Sequence, residues 1–261
     1  MRHIRALVRA SVLTIWTLFV FAILVGGVPF AFRNRARWRA LVFHKWARGS
    51  ARILNLRIHV SGSPPTPPFL LVSNHLSYLD VVAYASQVSC VFVARSDLAQ
   101  WPVIGPLCRS AGTIFVDRES RRDVVRVNQL IDRALARGLG VVLFAEGTST
   151  AGDRLLPFKP SLLEHAARTG CGANYAALSY RAGDDDPPAS ESVCWWGDMT
   201  FVDHLVGLFH LRRINARVNF GDDVIRAANR KELAERLWLA VRERLGSEVR
   251  ARDHEFQQLD C

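Results

Sequence analysis

The sequence predicts an α/β fold: a layered sheet with flanking helices that follows N-terminal membrane-associated helices. From residue 56 onward, short apolar runs alternate with longer helical patterns, an order typical of layered α/β domains. The first 55 residues combine a long apolar run with clustered basic residues. A length of 261 residues suits one large domain with an anchor. We therefore expect anchor helices over residues 1–55 and a folded domain over residues 56–261.

The apolar run near the N-terminus extends from Ser11 to Phe32 without a charged residue. A helix needs about 20 such residues to cross a bilayer, so the length is sufficient. Gly26, Gly27 and Pro29 interrupt the run, and basic residues flank both ends, which weakens the positive-inside argument for crossing. Two arrangements stay open: a helix that spans the bilayer, or one that enters it, bends near Pro29 and returns as a basic helix over 30–54.

The positive charge of the chain is concentrated in the same region. The formal net charge is +10, no acidic residue precedes Asp80, and eleven of the 34 Lys and Arg residues lie before it. The remaining 23 basic residues face all 24 acidic ones, so the rest of the chain is nearly neutral. This distribution fits contact with anionic membrane lipids. Because no nucleic-acid-binding motif accompanies the charge, nucleic acid is not an expected partner.

The five cysteines are odd in number and form no Cys-x-x-Cys pair or Cys/His cluster. Neither a disulfide scaffold nor a zinc site is therefore predicted. Reduced thiols are typical of a domain that faces the cytoplasm. We expect the protein at the inner (plasma) membrane, with its folded domain on the cytoplasmic side.

Seven nearly continuous apolar runs predict strands that are buried on both faces. They are Leu56–Val60, Phe69–Ser73, Cys90–Ala94, Thr113–Val116, Val141–Ala145, Tyr175–Ser179 and Arg217–Phe220. One-sided apolar spacing predicts helices at Glu119–Arg137 and Arg230–Leu245. The stretches Ser61–Pro68 and Arg181–Ser192 are predicted loops, and the apolar helical pattern over Phe201–Leu211 is predicted to be core.

Polar clusters directly follow three of these strands, where the sites of open α/β sheets collect. The first is Asn74-His75-Leu76-Ser77-Tyr78-Leu79-Asp80. A carboxylate five residues after the histidine can accept one ring N–H, which leaves the other nitrogen free to take a proton. No Gly-x-Ser-x-Gly motif is present, so the pair suits direct attack by a substrate hydroxyl. A capping Asn or Ser beside a structural histidine is the alternative reading.

The second and third clusters carry groups that can bind an anion. In Gly112–Arg118, the guanidinium of Arg118 can clamp a phosphate or pair with a neighbouring carboxylate at the surface. In Phe144–Thr150, Gly147 allows the backbone to approach a ligand, and hydroxyls with successive N–H groups can hold an anion. Each cluster alone is a weak signal.

Together these residues resemble the glycerolipid acyltransferase family, specifically the 1-acylglycerol-3-phosphate (lysophosphatidate) acyltransferases. The family is marked by N-H-x-S-x-x-D, G-x-x-F-x-x-R and E-G-T blocks, and all three occur here in that order, about 30 to 40 residues apart. The stretch from Ala94 to Gly105 is similar to the family's Ala-Lys-x-Glu-Leu…Pro…Gly sequence. The resemblance covers roughly Leu56 to Tyr180.

The resemblance implies acyl transfer from acyl-CoA or acyl-carrier protein to the free hydroxyl of lysophosphatidate, which forms phosphatidate in phospholipid synthesis. It implies that His75 is the general base and that Asp80 orients it. The substrate-binding residues that it implies are Asn74, Ser77, Arg118, Glu146, Gly147 and Thr148. It implies no metal and no bound cofactor. The expected partners are membrane lipids, the lysophospholipid acceptor and the acyl thioester.

Two departures from the family pattern bear on the acceptor. The third block usually reads E-G-T-R-S after a proline, whereas Ala145 precedes it here and Ser149 occupies the arginine position. The later Val-Pro block has no proline at Tyr175–Leu178. One phosphate-pairing cation is thus missing, and the candidates to replace it are Arg95, Arg154 and Lys159.

Two alternatives to lysophosphatidate acylation stay open. The bacterial lyso-ornithine lipid acyltransferases esterify an acceptor without a phosphomonoester, so an enzyme of that kind is the nearer one. A catalytically silent lipid-binding protein with the same fold is the other, and the intact His75/Asp80 pair argues against it.

Overall fold

A seven-stranded sheet forms the centre of the protein, in the order β1-β7-β6-β2-β5-β3-β4. The computed structural model describes residues 2–27, 31, 34–117 and 119–259, with side chains except at 121 and from 247 onward. The strands are β1 (Leu56–Ser61), β2 (Phe69–Ser73), β3 (Cys90–Arg95), β4 (Ile114–Val116), β5 (Gly140–Phe144), β6 (Asn174–Ala182) and β7 (Ile214–Phe220). All seven predicted strands are confirmed.

Strand direction brings the ends of five strands to one edge of the sheet. The five strands β6, β2, β5, β3 and β4 run parallel to one another. β7 is antiparallel to β6, and β1 is parallel to β7. The loops that follow β2 and β5 therefore leave the sheet side by side. These loops carry the first and third polar clusters.

Helices cover both faces of the sheet, which confirms the predicted α/β class. They are α1 (Arg2–Gly27), α2 (Arg35–Ile53), α3 (Leu79–Gln87), α4 (Ile104–Ala111), α5 (Arg121–Ala136), α6 (Glu164–Thr169), α7 (Ala189–Ser192), α8 (Phe201–His210) and α9 (Arg230–Leu259). One core packs Leu71, Phe144 and Leu178 against α2, α3 and α8. The other packs Val72 and Leu143 against α5, α6 and α9.

The two predicted helices of the second half are confirmed as α5 and α9. α5 begins after Ser120, whose hydroxyl accepts the backbone N–H of Asp123, a capping arrangement that satisfies a free helix donor. The predicted loop over Arg181–Ser192 is wrong at both ends. Residues 181 and 182 belong to β6 because they pair with β7, and Ala189–Ser192 forms the single turn α7.

The N-terminal segment folds into an antiparallel pair of helices. The ring of Trp16 in α1 lies against Gly49 in α2, where a Cβ atom would come within 2.4 Å of the ring. Trp16 Nε1 donates to the carbonyl of Trp46 over 3.1 Å, and Trp38 Nε1 donates to that of Leu24 over 3.3 Å. These contacts hold the second half of α1 against α2.

The opposite side of α2 packs into the folded domain. Ala47 and Ala51 are buried in the core shared with α3, and His44 Nδ1 lies 2.6 Å from the carbonyl oxygen of Ala85. The predicted boundary at residue 55 therefore falls inside a continuous core. α2 lies between the second half of α1 and the sheet domain, whereas Ala6 in the first half of α1 packs into the domain core directly.

The outward face of α1 is apolar and exposed. α1 is the helix, within the described residues, that is long and apolar enough to cross a membrane, and 11% of its most apolar window is buried. Its exposed large apolar residues are Ile4, Leu7, Val8, Val12, Ile15, Leu18, Phe19, Ile23 and Val25.

Helix α8 was predicted to be core, and this holds for one of its faces. His204, Leu208 and Phe209 are buried, whereas Val202 and Val206 are 66% and 50% exposed. The reason is that α8 lies at the surface beside α1, so only its inner side meets the sheet.

Candidate active site

The loop after β2 brings His75 and Asp80 together as the sequence predicted. His75 Nδ1 lies 2.7 Å from Asp80 Oδ2, and the carboxylate is fully buried while the imidazole is 24% exposed. The same oxygen accepts the backbone N–H groups of Leu76 at 2.7 Å and Ser77 at 3.1 Å. Since an ionised carboxylate only accepts, Nδ1 carries the hydrogen, which leaves Nε2 of a neutral ring free to take a proton.

Two further contacts fix the imidazole and its carboxylate. The His75 ring stacks on Phe144, with 4.2 Å between centroids and 11° between planes. Tyr180, in β6, donates its O–H to Asp80 Oδ1 over 2.9 Å. Neither Phe144 nor Tyr180 is among the predicted site residues. The sequence offered a weak signal for each: Phe144 ends the apolar residues of β5, and Tyr180 directly follows the predicted strand Tyr175–Ser179.

Glu146 joins two loops instead of facing the open side of the site. One carboxylate oxygen accepts the backbone N–H of His75 and the other accepts that of Leu156, each at 2.8 Å. The residue is 2% exposed. Burial is the largest influence on its pKa and raises it to about 7, against the smaller effect of the two N–H donors. In this structure Glu146 positions the His75 backbone, and its predicted substrate contact stays a prediction.

The first and third blocks are also joined through the backbone. Thr150 N–H donates to the carbonyl of His75 over 3.1 Å, and Trp195 N–H donates to that of Leu76 over 2.8 Å. The hydroxyl of Ser149, at the position of the family's arginine, donates to the carbonyl of Trp195. Ser149 therefore connects the third block to Trp195 and supplies no cation.

Asn74 and Ser77, two predicted binding residues, are buried. Asn74 is 2% exposed, and its amide both donates to the carbonyl of Leu178 and accepts its N–H, each over 2.8 Å. The side chain thus extends the pairing of β2 with β6 by one position. Ser77 is 0% exposed, and its Oγ has no hydrogen-bond partner among the described residues. Neither residue reaches the surface of the site, and their binding roles stay predictions.

The third block presents its backbone and Thr148 to solvent. Gly147 has a φ of 84°, a left-handed conformation that glycine adopts without a Cβ penalty. Thr148 is exposed. Lys159 is exposed as well, and its backbone N–H donates to the carbonyl of Ala145 over 2.8 Å. This bond places the Lys159 backbone beside the end of β5.

Of the two predicted arginines, the structure describes Arg95. Arg95 ends β3 and pairs with Asp97 through two N–H groups, at 3.1 and 3.2 Å. Its side chain is 66% exposed, so a ligand would have to compete with that carboxylate. Arg118 lies outside the described residues.

An aromatic cluster borders the His75 loop, formed by Tyr78, Trp101, Trp195 and Phe201. Phe201 is the centre, with ring centroids 5.1 Å from Tyr78, 5.4 Å from Trp101 and 6.1 Å from Trp195. Tyr78 Oη lies 2.9 Å from His204 Nδ1. This contact holds the Tyr78 side chain against α8.

Within the described residues, no hydroxyl or thiol is hydrogen-bonded to the His75 ring. Cys194, close to Asp80, is buried, and burial raises the pKa of its thiol to about 12, so it stays protonated at neutral pH. The available chemistry is therefore proton abstraction from a bound hydroxyl by His75.

Comparison with known proteins agrees with this geometry. Residues 56–174 match the family model described as Acyltransferase. A lyso-ornithine lipid O-acyltransferase of Rhizobium meliloti is 36% identical over 79% of this chain and 75% of its own. A 1-acyl-sn-glycerol-3-phosphate acyltransferase of Neisseria meningitidis is 30% identical over 75% of this chain and 73% of its own. This chain therefore belongs to the acyltransferase family.

The fold is shared with a solved member of that family. The crystal structure of the 1-acyl-sn-glycerophosphate acyltransferase from Thermotoga maritima superimposes with a TM-score of 0.56, over 93% of this chain and 97% of the other, at 20% identity. The protein is an acyl-transferring enzyme, as its three motif blocks predict.

Proposed function

We propose that this protein transfers a fatty acyl chain from an acyl thioester to the free hydroxyl of a lysolipid, with lysophosphatidate as the leading acceptor. The observation that carries the proposal is the half-open His75 ring, whose Nδ1 is held by buried Asp80. Nε2 takes the proton of the acceptor hydroxyl while the hydroxyl oxygen attacks the thioester carbonyl carbon. The C–S bond then breaks, and the leaving thiolate takes the proton from His75.

The anion-binding groups of the acceptor site come from the second and third blocks. Gly147 and Thr148 lie at the end of β5, one loop away from His75, and Arg118 follows β4, whose end lies at the same sheet edge. We expect Arg118→Ala to weaken a phosphate-bearing acceptor more than an uncharged one, because a guanidinium binds phosphate through paired hydrogen bonds. Equal losses with both acceptors, measured as KM, would mean that Arg118 is structural.

A lyso-ornithine lipid is the second candidate acceptor, and one observation favours it. Ser149 replaces the arginine that usually completes the third block, and its hydroxyl is bonded to the carbonyl of Trp195. Arg95, a candidate substitute, is already paired with Asp97. The similarity to the Rhizobium meliloti lyso-ornithine lipid O-acyltransferase supports the same candidate.

We also propose that the protein acts at the cytoplasmic face of the inner membrane. Support comes from the exposed apolar face of α1 and from the basic residues of α2 beside it. An apolar helix face lying in the lipid interface, with Lys and Arg next to it, is typical of membrane-surface attachment. Acyl-CoA and acyl-carrier protein are both candidate donors.

The deciding experiment measures acyl transfer by detergent-solubilised protein from labelled acyl-CoA and from acyl-carrier protein. The acceptors are lysophosphatidate, lyso-ornithine lipid and a neutral lysolipid. His75→Ala is the negative control, and His59→Ala, at an exposed histidine of β1, is the matched control. Transfer to lysophosphatidate that is lost only in His75→Ala supports the main proposal.

Two other results would change the proposal. Transfer to lyso-ornithine lipid alone would retain the mechanism and move the enzyme to the second acceptor. No transfer to any acceptor by folded wild-type protein would reject the proposed function and favour a silent lipid-binding protein.

A further inference from the structure

We propose that Tyr180 is a positioning residue that acts on the general base through Asp80; this inference deepens the proposed function and rests on it. The Tyr180 O–H donates to Oδ1 of the carboxylate over 2.9 Å, whereas His75 holds Oδ2 at 2.7 Å. Each side chain thus binds a different oxygen of the Asp80 carboxylate. Tyr180 lies 100 positions from Asp80 in the chain and in none of the three blocks.

The two oxygens of Asp80 differ in how replaceable their partners are. Oδ2 accepts the imidazole and the N–H groups of Leu76 and Ser77. Tyr180 is the donor to Oδ1 within the described part of the chain. Asp80 is 0% exposed, so water cannot readily take the place of that O–H. A buried carboxylate oxygen that loses its donor costs folding free energy. Without the Tyr180 O–H, the negative charge of Asp80 would interact more strongly with the His75 ring.

The position of Tyr180 is set by the same strand pairing that orders the His75 loop. β6 lies beside β2, and the Asn74 amide pairs with both backbone groups of Leu178, two residues before Tyr180. Odd-even alternation along a strand places Leu178 and Tyr180 on the same face of the sheet. The contact with Asp80 is therefore built into the sheet register.

Three other titratable groups lie near Asp80: Tyr180, Cys194 and Glu146. Burial and the Asp80 charge keep the pKa of Tyr180 well above its ordinary value, and burial holds that of Cys194 at about 12. Both groups stay protonated across the useful pH range. Glu146 also faces this region, with a pKa of about 7, so a pH profile contains its titration together with that of His75.

The first test observes the His75 ring directly and does not depend on activity. Detergent-solubilised protein with isotope-labelled histidine is titrated by NMR, and the His75 signal is assigned by its loss in His75→Ala. In Tyr180→Phe we expect the midpoint of the His75 titration to move to higher pH, because a carboxylate without its O–H donor stabilises the imidazolium more strongly. Tyr175→Phe removes a hydroxyl from the same strand away from Asp80 and should leave the midpoint unchanged.

A second background tests the route through Asp80. In Asp80→Asn protein, Tyr180→Phe should move the His75 midpoint much less than it does in the wild type. An equal shift in both backgrounds would show that Tyr180 acts by another path. An unchanged midpoint in Tyr180→Phe itself, from protein with near-wild-type thermal stability, would overturn the proposal.

The kinetic test uses the acyl-transfer assay. In Tyr180→Phe we expect kcat to fall roughly tenfold, as when a residue that orients a metal-ligating side chain is removed, with KM for both substrates nearly unchanged. The acid limb of the kcat/KM profile should move to higher pH. A loss confined to KM would contradict a positioning role. If the NMR shift appears but the wild type transfers no acyl group, the link to Asp80 stands and the proposed function fails.

Discussion

At the scale of single residues, the His75 imidazole is held from several directions while remaining partly open. Asp80 binds one nitrogen, Phe144 lies under the ring, and Glu146 and Thr150 fix the backbone on either side. The Glu146 and Thr150 bonds are made to the His75 backbone, and Asp80 also accepts the N–H groups of Leu76 and Ser77. Removing the ring therefore leaves the surrounding loop connected.

We therefore expect His75→Ala to lower turnover by about 10²–10⁴-fold, the usual contribution of a general base, without unfolding the protein. The measurement is kcat in the acyl-transfer assay, with far-UV circular dichroism and a thermal melt to verify folding. Turnover close to that of the wild type in a folded variant would end the assignment of His75 as the base.

Glu146 gives a pH-dependent prediction about stability. Burial raises its pKa to about 7 from an ordinary value of 4.5, so between these values the native state binds more protons than the unfolded state. The contribution of this group to the unfolding free energy therefore falls as the pH rises through that window. In Glu146→Gln this fall should be absent, although the variant loses one backbone hydrogen bond.

The measurement for Glu146 is urea unfolding in detergent at several pH values between about pH 5 and pH 8. The wild type should lose stability relative to Glu146→Gln as the pH rises. A constant difference between the two proteins would show that the carboxyl group does not titrate in this window.

At the scale of elements, α8 connects α1 with the aromatic cluster beside the active site. At its C-terminal end, Arg5 donates to the carbonyl of His210 over 2.6 Å, and Arg9 donates to those of Leu211 and Arg212. Carbonyls at a helix C-terminus lack partners within the helix and carry partial negative charge. The two arginines supply both hydrogen bonds and charge there.

We expect Arg9→Ala to destabilise the protein by about 1–2 kcal/mol, since it removes charge-assisted hydrogen bonds at this helix end. Arg2→Ala, at an exposed position of the same helix, is the matched control and should change stability little. The readout is the melting temperature in detergent. Equal effects of the two substitutions would show that net charge, and not the contact with α8, matters.

The elements themselves were predictable where burial is uniform along the chain. β2 and β5 are buried at every position, and each appeared as an unbroken apolar run. β6 and β7 extend beyond their runs because antiparallel pairing with each other, and not apolar character, supports Arg181 and Asn215. Short helices such as α4 and α6 have too few turns to produce a clear periodicity.

At the scale of the whole molecule, the position of α2 favours one of the two membrane arrangements. α2 carries many basic residues and packs between the second half of α1 and the sheet domain, and the first half of α1 is bonded to the end of α8. An α1 that crossed the bilayer while keeping these contacts would draw α2 and the domain into the hydrocarbon, which is costly for charged groups. We therefore expect α1 to lie in one leaflet, with its outward face in the lipid.

The corresponding test places charge on that face. Ile15→Glu combined with Phe19→Glu changes two residues that are 67% and 57% exposed, and should reduce co-sedimentation with vesicles containing anionic lipid. Val125→Glu, at a 59% exposed position of α5, is the matched control and should bind normally. Unchanged binding of the double variant would mean that another surface holds the membrane.

The fold class, the seven strands, the apolar N-terminal helix and the pairing of His75 with Asp80 could be predicted, because each depends on residues close together in the chain. The roles of Glu146 and Asn74 in positioning the loop, and the contact of Tyr180 with Asp80, could not. Those contacts join residues 71 to 104 positions apart. They exist because parallel strands bring their ends to one sheet edge, and the register that aligns them is a property of the packed sheet.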